Sequence, residues 1–305
     1  MPSRVLRADL LLLLTAAIWG SAFVAQRLGM DAVGPMLYNG LRFLLGALVV
    51  LPLALRPERG VPHAHPLSGR RLALLATAAG SVLFIGASLQ QLGLLYTSVA
   101  NAGFITGLYV ILVPVFGWLL LRHRIMAGTW GGAALAVGGM YLLSVQSDFT
   151  VAPGDWLQLL GACFWAAHVL LIDAIAPRTH AVRLACIQFF VCAALSLLAA
   201  VMFEPIRWAD IVAAAPAVAY GGVCSVGIAY TLQVIAQKDA PAAHAAILMS
   251  LEALFAALTG WWILDEGLTP RAIGGCALML VGTLVAQLSP LLQRRTTVEC
   301  LGTPR

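Results

Sequence analysis

Charge is what this chain lacks most. Asp, Glu, Lys and Arg together make up 10% of its 305 residues, where a soluble domain carries about a quarter. That scarcity, with 61% hydrophobic residues and a mean hydropathy of +0.92, excludes a soluble globular protein. The net charge of +5 comes from basic residues that form no stripe and are not interleaved with stacking aromatics, so nucleic acid is not an expected partner. The six cysteines, Cys163, Cys186, Cys192, Cys224, Cys276 and Cys300, show no CxxC or metal-ligand spacing. Five of them fall in apolar segments and read as small packing residues. HExxH and GxSxG are also missing, and no apolar segment holds two acids in its core. Neither catalytic residues nor a metal nor a cofactor is therefore assigned.

What the chain has is length of apolar sequence. Runs able to span a bilayer lie at about 10–28, 37–55, 72–92, 99–121, 128–146, 156–175, 184–203, 212–236, 242–263 and 272–290, which predicts an all-α integral membrane protein of ten transmembrane helices. Arg4 and Arg7 before Leu10 resemble the start of a signal peptide, but the apolar segment runs on to Leu28 and reads as a retained span. Fourteen Lys and Arg residues fall on the side of the amino terminus, among them Arg56, Arg59, Arg70, Arg71, Arg122, Arg124, Arg178, Arg183 and Lys238, against Arg207 and Arg271 opposite. That imbalance puts both termini in the cytoplasm, and a bacterial inner membrane is the expected location.

Six of the eight tryptophans fall at segment ends or in a loop, as interfacial indoles should. Trp19 and Trp165 lie about nine residues into their helices, where tight packing and a cavity wall are both open readings. They also reveal an internal repeat. A shift of 146 positions places Asp9 on Asp155, Trp19 on Trp165, Arg42 on Gln188 and Phe43 on Phe189. A shift of 143 places Gln90 on Gln233, Asn101 on His244, Tyr109 on Glu252, and Gly131-Gly132 on Gly274-Gly275. Each half, 1–147 and 148–305, holds five helices, and the second ends in a short tail. An odd number of spans turns the second copy upside down, so the expected fold is two inverted five-helix repeats.

One acid lies deep. Glu252 sits near the middle of Ala242–Ile263, roughly 15 Å from either end of its helix at about 1.5 Å per residue. An ionisable group at that depth marks a functional site by default, and its readings are a proton carrier, a ligand for a cationic solute, or a structural acid bonded across helices. Arg42, a few residues inside helix two, either snorkels to the headgroups or pairs inward. His244 is eight residues before Glu252, about 80° around the helix, so both can border one cavity. Gln90, Gln233, Asn101, Tyr109 and Tyr230 supply uncharged hydrogen-bonding groups, and either form interhelical bonds or line that cavity. Glycines 128, 131, 132, 138 and 139, with 274, 275 and 282, permit close helix approach; packing within a monomer is expected rather than a homodimer interface.

Trp19-Gly20-Ser21, Leu41-Arg42-Phe43, Leu251-Glu252 with Phe255, Asp265-Glu266 before Leu268-Thr269-Pro270, and Gly274-Gly275 with Gly282 resemble the ten-helix EamA-type branch of the drug/metabolite transporter superfamily. The resemblance spans about residues 8–290. It departs where family members often carry proline after the helix-nine glutamate, since this chain has Ala253, and where an acid often ends helix four, since Arg122-His123-Arg124 stand here. It implies export of a small molecule, with amino acids, other metabolites and drugs as classes.

Inverted halves can exchange conformations, which is the requirement for alternating access around a midplane site. The sequence thus predicts a secondary transporter of a small organic solute, its partners that solute and the lipid bilayer. Proton coupling through Glu252 is an expectation, because a deep carboxyl group is easier to protonate than one in water. The expected substrate site is Trp19, Arg42, Gln90, Asn101, Tyr109, Trp165, Tyr230, Gln233, His244 and Glu252. An intramembrane enzyme and a non-transporting scaffold or sensor are the rival readings.

Overall fold

A computed structural model describes residues 2–56, 67–97, 99–122, 127–144, 153–264 and 269–301. Arg59, Arg124, the linker between the halves up to residue 152, and Asp265-Glu266 with Leu268 lie outside the described residues. Ten helical stretches follow in order: α1 (Pro2–Met30), α2 (Pro35–Ala54), α3 (Gly69–Leu94), α4 in two halves (Val99–Gly107 and Tyr109–Leu121) and α5 (Ala127–Ser144). The second five are α6 (Pro153–Ile175), α7 (Ala181–Phe203), α8 in three parts (Trp208–Ala219, Tyr220–Tyr230, Thr231–Ala236), α9 in two (Ala242–Met249, Glu252–Leu264) and α10 (Pro270–Leu301). Eight of the stretches are long and apolar enough to cross a membrane, and Pro270–Ala286 is a shorter apolar helix. Large side chains such as Leu10, Leu48, Leu198, Val201 and Trp262 are exposed on the outside of the bundle, as a lipid-facing surface requires.

Helix starts are set by local chemistry. Pro35 opens α2 in the first turn, where its missing N–H costs nothing. The next two amides, Met36 N and Leu37 N, donate to the Glu204 carboxylate at 2.7 and 2.8 Å, so the end of α7 caps the start of α2. Ser68 and His180 do the same work locally, accepting from Arg71 N and Arg183 N.

The two halves are inverted. Arg27 at the end of α1 donates to Leu94 O at the end of α3, so these two helices run the same way. Leu67 N, before α3, donates to Arg178 O, just after α6, so α6 runs against them. Equivalent helices then meet across an approximate two-fold axis. In the α5–α10 crossing, a β-carbon on Gly132 would lie 2.6 Å from Gly282 O, and one on Gly139 would lie 2.6 Å from Gly275 O. Gly132 and Gly275 are repeat partners, as are Gly139 and Gly282, so each glycine faces the counterpart of the other. The small residues pack helix against helix inside one chain. On the other side α2 meets α7, with the equivalent rings of Phe43 and Phe189 6.2 Å apart.

Two helices break at matching places. In α4 the break is Leu108, where Leu108 N turns to Ile105 O, and in α9 it is Ser250-Leu251, where Leu251 N turns to Leu248 O. Both are single tightened turns of the i to i+3 kind. Proline is not the cause in α9, since Ala253 follows Glu252; Ser250 Oγ instead donates to Ile247 O at 2.8 Å, a local bond that competes with the helix ladder.

Candidate functional site

Between the halves lies a cavity whose lining follows the repeat. Trp19 and Trp165, Phe23 and Val169, Gln90 and Gln233, Thr106 and Met249, and Tyr109 and Glu252 are five pairs of equivalent positions, and all ten residues line it. Gln26, Arg42, Ser225 and Tyr230 complete the wall. The pseudo-two-fold axis therefore passes through the cavity, and its two sides differ chemically both at the unlike pairs Phe23/Val169, Thr106/Met249 and Tyr109/Glu252 and through the four extra residues.

The broken helices supply the polar centre. Tyr109 and Glu252 are the first residues of the second halves of α4 and α9, so each break turns its side chain inward. The Tyr109 hydroxyl stands beside the Glu252 carboxylate, within electrostatic reach, but closes no hydrogen bond of ordinary geometry. Tyr109 Oη is buried with no hydrogen-bond partner among the described residues. Glu252 is 5% exposed. Gly20 makes room for it: a β-carbon there would sit 2.5 Å from Glu252 O, so only a glycine lets α1 lie this close to the break.

Aromatic rings form one wall. Tyr230 is the hub, its ring 4.5 Å from Trp19, 6.1 Å and nearly parallel to Trp165, and 5.8 Å from Phe43. It ends an eleven-residue stretch of α8, Tyr220–Tyr230, wound in the wider i to i+5 register. That register leaves carbonyls poorly served within the helix, and α1 uses them: Trp19 Nε1 donates to Ser225 O and Thr15 Oγ1 to Ala229 O, both at 3.2 Å. Trp19 at the midplane is thus both packed and cavity-lining. Trp165 differs, since its buried Nε1 has no partner among the described residues.

Arg42 points inward rather than to the headgroups, and is 2% exposed. Its Nε donates to Asn39 Oδ1 at 2.9 Å, and its guanidinium lies 5.1 Å from the Phe43 ring and 5.5 Å from the Tyr38 ring. Cation–π contact offsets part of the cost of burying the charge. No carboxylate pairs with it among the described residues. Arg42 and Glu252 thus share one cavity without neutralising each other, and Tyr230 feels both.

Amide groups fill in around them. Thr106 Oγ1 donates to Gln158 Oε1, and Gln158 Nε2 to Gln90 O. Gln233 Nε2 donates to Gln237 Oε1, while Gln233 Oε1 and Gln26 Oε1 are buried without partners. A polar solute can answer these atoms; a hydrocarbon cannot.

Eight of the ten residues expected from sequence come together here. His244 does not. It lies near the start of α9, bonded through Nε2 to Asp9 Oδ1 at 2.7 Å, away from the cavity, because the break at Ser250-Leu251 separates its face from that of Glu252. The Asn101 side chain lies outside the described residues. The sequence reading missed Gln26, Thr106 and Ser225. Two had a signal: Gln26 is seven residues after Trp19 and Thr106 three before Tyr109, each on the same helical face. Ser225 had none, since the wide register of α8 is not written in its hydropathy. Among the described residues no three His, Cys, Asp or Glu side chains gather as a metal site would need.

Comparison with known proteins agrees with this architecture. The EamA-like transporter family model matches twice, over residues 6–145 and 152–287. An uncharacterized transporter of Archaeoglobus fulgidus is 31% identical over 283 residues, covering 93% of this chain and 86% of the relative. The uncharacterized transporter YwfM of Bacillus subtilis is 27% identical over 295 residues, covering 94% and 95%. A crystal structure at 21% identity superposes with a TM-score of 0.75 over 95% of this chain and 98% of that one, which speaks to the fold alone. Two matched five-helix halves, inverted about a shared polar cavity, make this chain a multi-pass membrane transporter and a member of the EamA-like transporter family.

Proposed function

We propose that the protein is a secondary transporter that exports a small zwitterionic or amphipathic organic solute, such as an amino acid, by alternating access. The observation that carries this is a pair of ionisable groups of opposite type, the Arg42 guanidinium and the Glu252 carboxyl group, on one aromatic-walled cavity with no bond between them. A carboxylate on the solute would take the free fork of the Arg42 guanidinium, which suits planar two-point binding. An ammonium group would take Glu252, with Tyr109 oriented by it. Aromatic faces at Trp19, Trp165 and Tyr230 would cover the apolar part of the solute.

Glu252 also serves as the proton carrier in this reading. A carboxyl group that meets the cavity is neutral with its proton and charged without it, so loading and release of solute can exchange with loading and release of a proton. The placement of fourteen Lys and Arg residues on the side of the amino terminus supports cytoplasmic termini; the outward direction rests on the family resemblance alone.

The test is counterflow in proteoliposomes containing the purified protein. Vesicles preloaded with amino acids should accumulate labelled amino acid from outside faster than empty ones, and an imposed proton gradient should drive net movement. Folded protein that moves none of a panel of zwitterions, cations and anions would sink the proposal.

A further inference from the structure

Outside the cavity, the pair formed by Asp9 and His244 has a counterpart that the repeat did not have to preserve. Asp9, in α1, accepts from His244 Nε2 in the first turn of α9, at 2.7 Å. Its repeat partner Asp155, in the first turn of α6, accepts from the Thr97 hydroxyl in the turn that leads into α4. Both bonds cross between halves: α1 belongs to the first and α9 to the second, α6 to the second and α4 to the first. They also lie at opposite ends of the bundle, because α1 and α6 run in opposite directions. The carboxylates are equivalent, but the donors are not. His244 corresponds to Asn101, and Thr97 corresponds to Ala240. Each end has found its own way to hold the same thing.

What is held is the short first half of a broken helix. Val99–Gly107 and Ala242–Met249 are nine and eight residues long, and each leads straight into the break that presents Tyr109 or Glu252 to the cavity. A segment bonded at its outer end and broken at its inner end can swing about the break once the outer bond opens. Hinges of this kind need only a few residues at an element's end to absorb the change.

We propose that Asp9–His244 and Asp155–Thr97 are the two latches of the cavity, one closing the face that carries the amino terminus and the other closing the opposite face. The inference rests on the alternating-access reading above. One latch ties the first half of α9 itself, and the other ties Thr97, two residues before the first half of α4, to the first helix of the opposite repeat, and opening one latch while the other stays closed exposes the cavity to one side only. Both are closed in this structure.

The experiment reads access from each face. In a variant with its other cysteines replaced, Ser225→Cys places one thiol on the cavity wall, and a membrane-impermeant maleimide is applied to right-side-out and to inside-out vesicles. His244→Ala should raise labelling from the amino-terminal face about fivefold and lower it from the other; Thr97→Val should do the reverse. His244→Asn, which keeps a donor in the same place, should label like the parent. Labelling that rises from both faces together would mean a loosened fold rather than a gate, and unchanged labelling would mean the bonds hold nothing; either overturns the latches. Solute counterflow by the protein with Ser225 and its own cysteines intact separates the two readings: mirror-image labelling together with no solute movement by that protein supports the latches and overturns the transporter reading, and counterflow by it with unchanged labelling overturns the latches alone.

Discussion

Tyr109 and Glu252 occupy the same position in the two repeats, each opening the inner half of a broken helix, and they face each other across one cavity. The duplication brought two copies of one site together, and one of the differences between them, a carboxyl group in place of a phenol, put an acid at the centre.

The first prediction follows from that difference. Glu252→Gln keeps the shape and the hydrogen-bonding capacity of the side chain but cannot carry a proton. Transport by this variant should lose its dependence on the proton gradient while insertion and elution as a folded particle in detergent stay as in the parent. Counterflow measured with and without an imposed gradient decides it, and a gradient response that survives in the variant removes Glu252 as the carrier.

Arg42 lends itself to a substitution that the molecule itself suggests. Its repeat partner is Gln188, a buried residue bonded to His168 at 2.9 Å, so Arg42→Gln should be accommodated by the fold. Loss of one charge-assisted contact is worth about 1.5–3 kcal/mol, so KM for a carboxylate-bearing solute should rise by about one to two orders of magnitude. Arg42→Lys should recover only part of it, because an ammonium group cannot replace the guanidinium fork. Equal KM values for all three would remove the solute carboxylate from this position.

The α5–α10 crossing distinguishes glycines that matter from those that do not. Gly132→Val and Gly139→Val would drive side-chain atoms into Gly282 O and Gly275 O, at a cost of about 1–3 kcal/mol for overpacking. At Gly131 the nearest atom to an added β-carbon is 4.0 Å away, so Gly131→Val should be tolerated. Thermal unfolding in detergent, followed by loss of the monodisperse peak, should rank the three in that order.

Glu204→Gln tests the cap between α7 and α2. The charged acceptor of Met36 N and Leu37 N would become a neutral amide, costing about 1 kcal/mol at a helix start. A lower unfolding midpoint with unchanged KM is the expected result, since neither amide touches the cavity.

Much of this was legible in the chain because the bilayer is a simple solvent. Span length and the depth of Glu252 follow from hydropathy, and the pairing of Trp19 with Trp165 followed from the repeat, so the centre of the cavity could be named without coordinates. Lateral neighbours could not. His244 and Glu252 share a helix in sequence, yet the break at Ser250-Leu251 gives them different partners, and nothing in periodicity says that Asp9 stands opposite. Without proline at position 253 the sequence leaves a proline kink beside Glu252 in doubt; α9 breaks there all the same, where Ser250 Oγ donates to Ile247 O. Arg42 left two readings because snorkelling and burial look alike until the rings of Tyr38 and Phe43 are seen around it.

The wide winding of Tyr220–Tyr230 has no equivalent in the first half, where α3 stays α-helical throughout. A carrier whose halves traded shapes perfectly would rest equally often facing either compartment. Under the alternating-access reading proposed above, one half holds a wide winding that the other would have to acquire, so the empty protein is expected to favour one side of the membrane before any solute or gradient is applied.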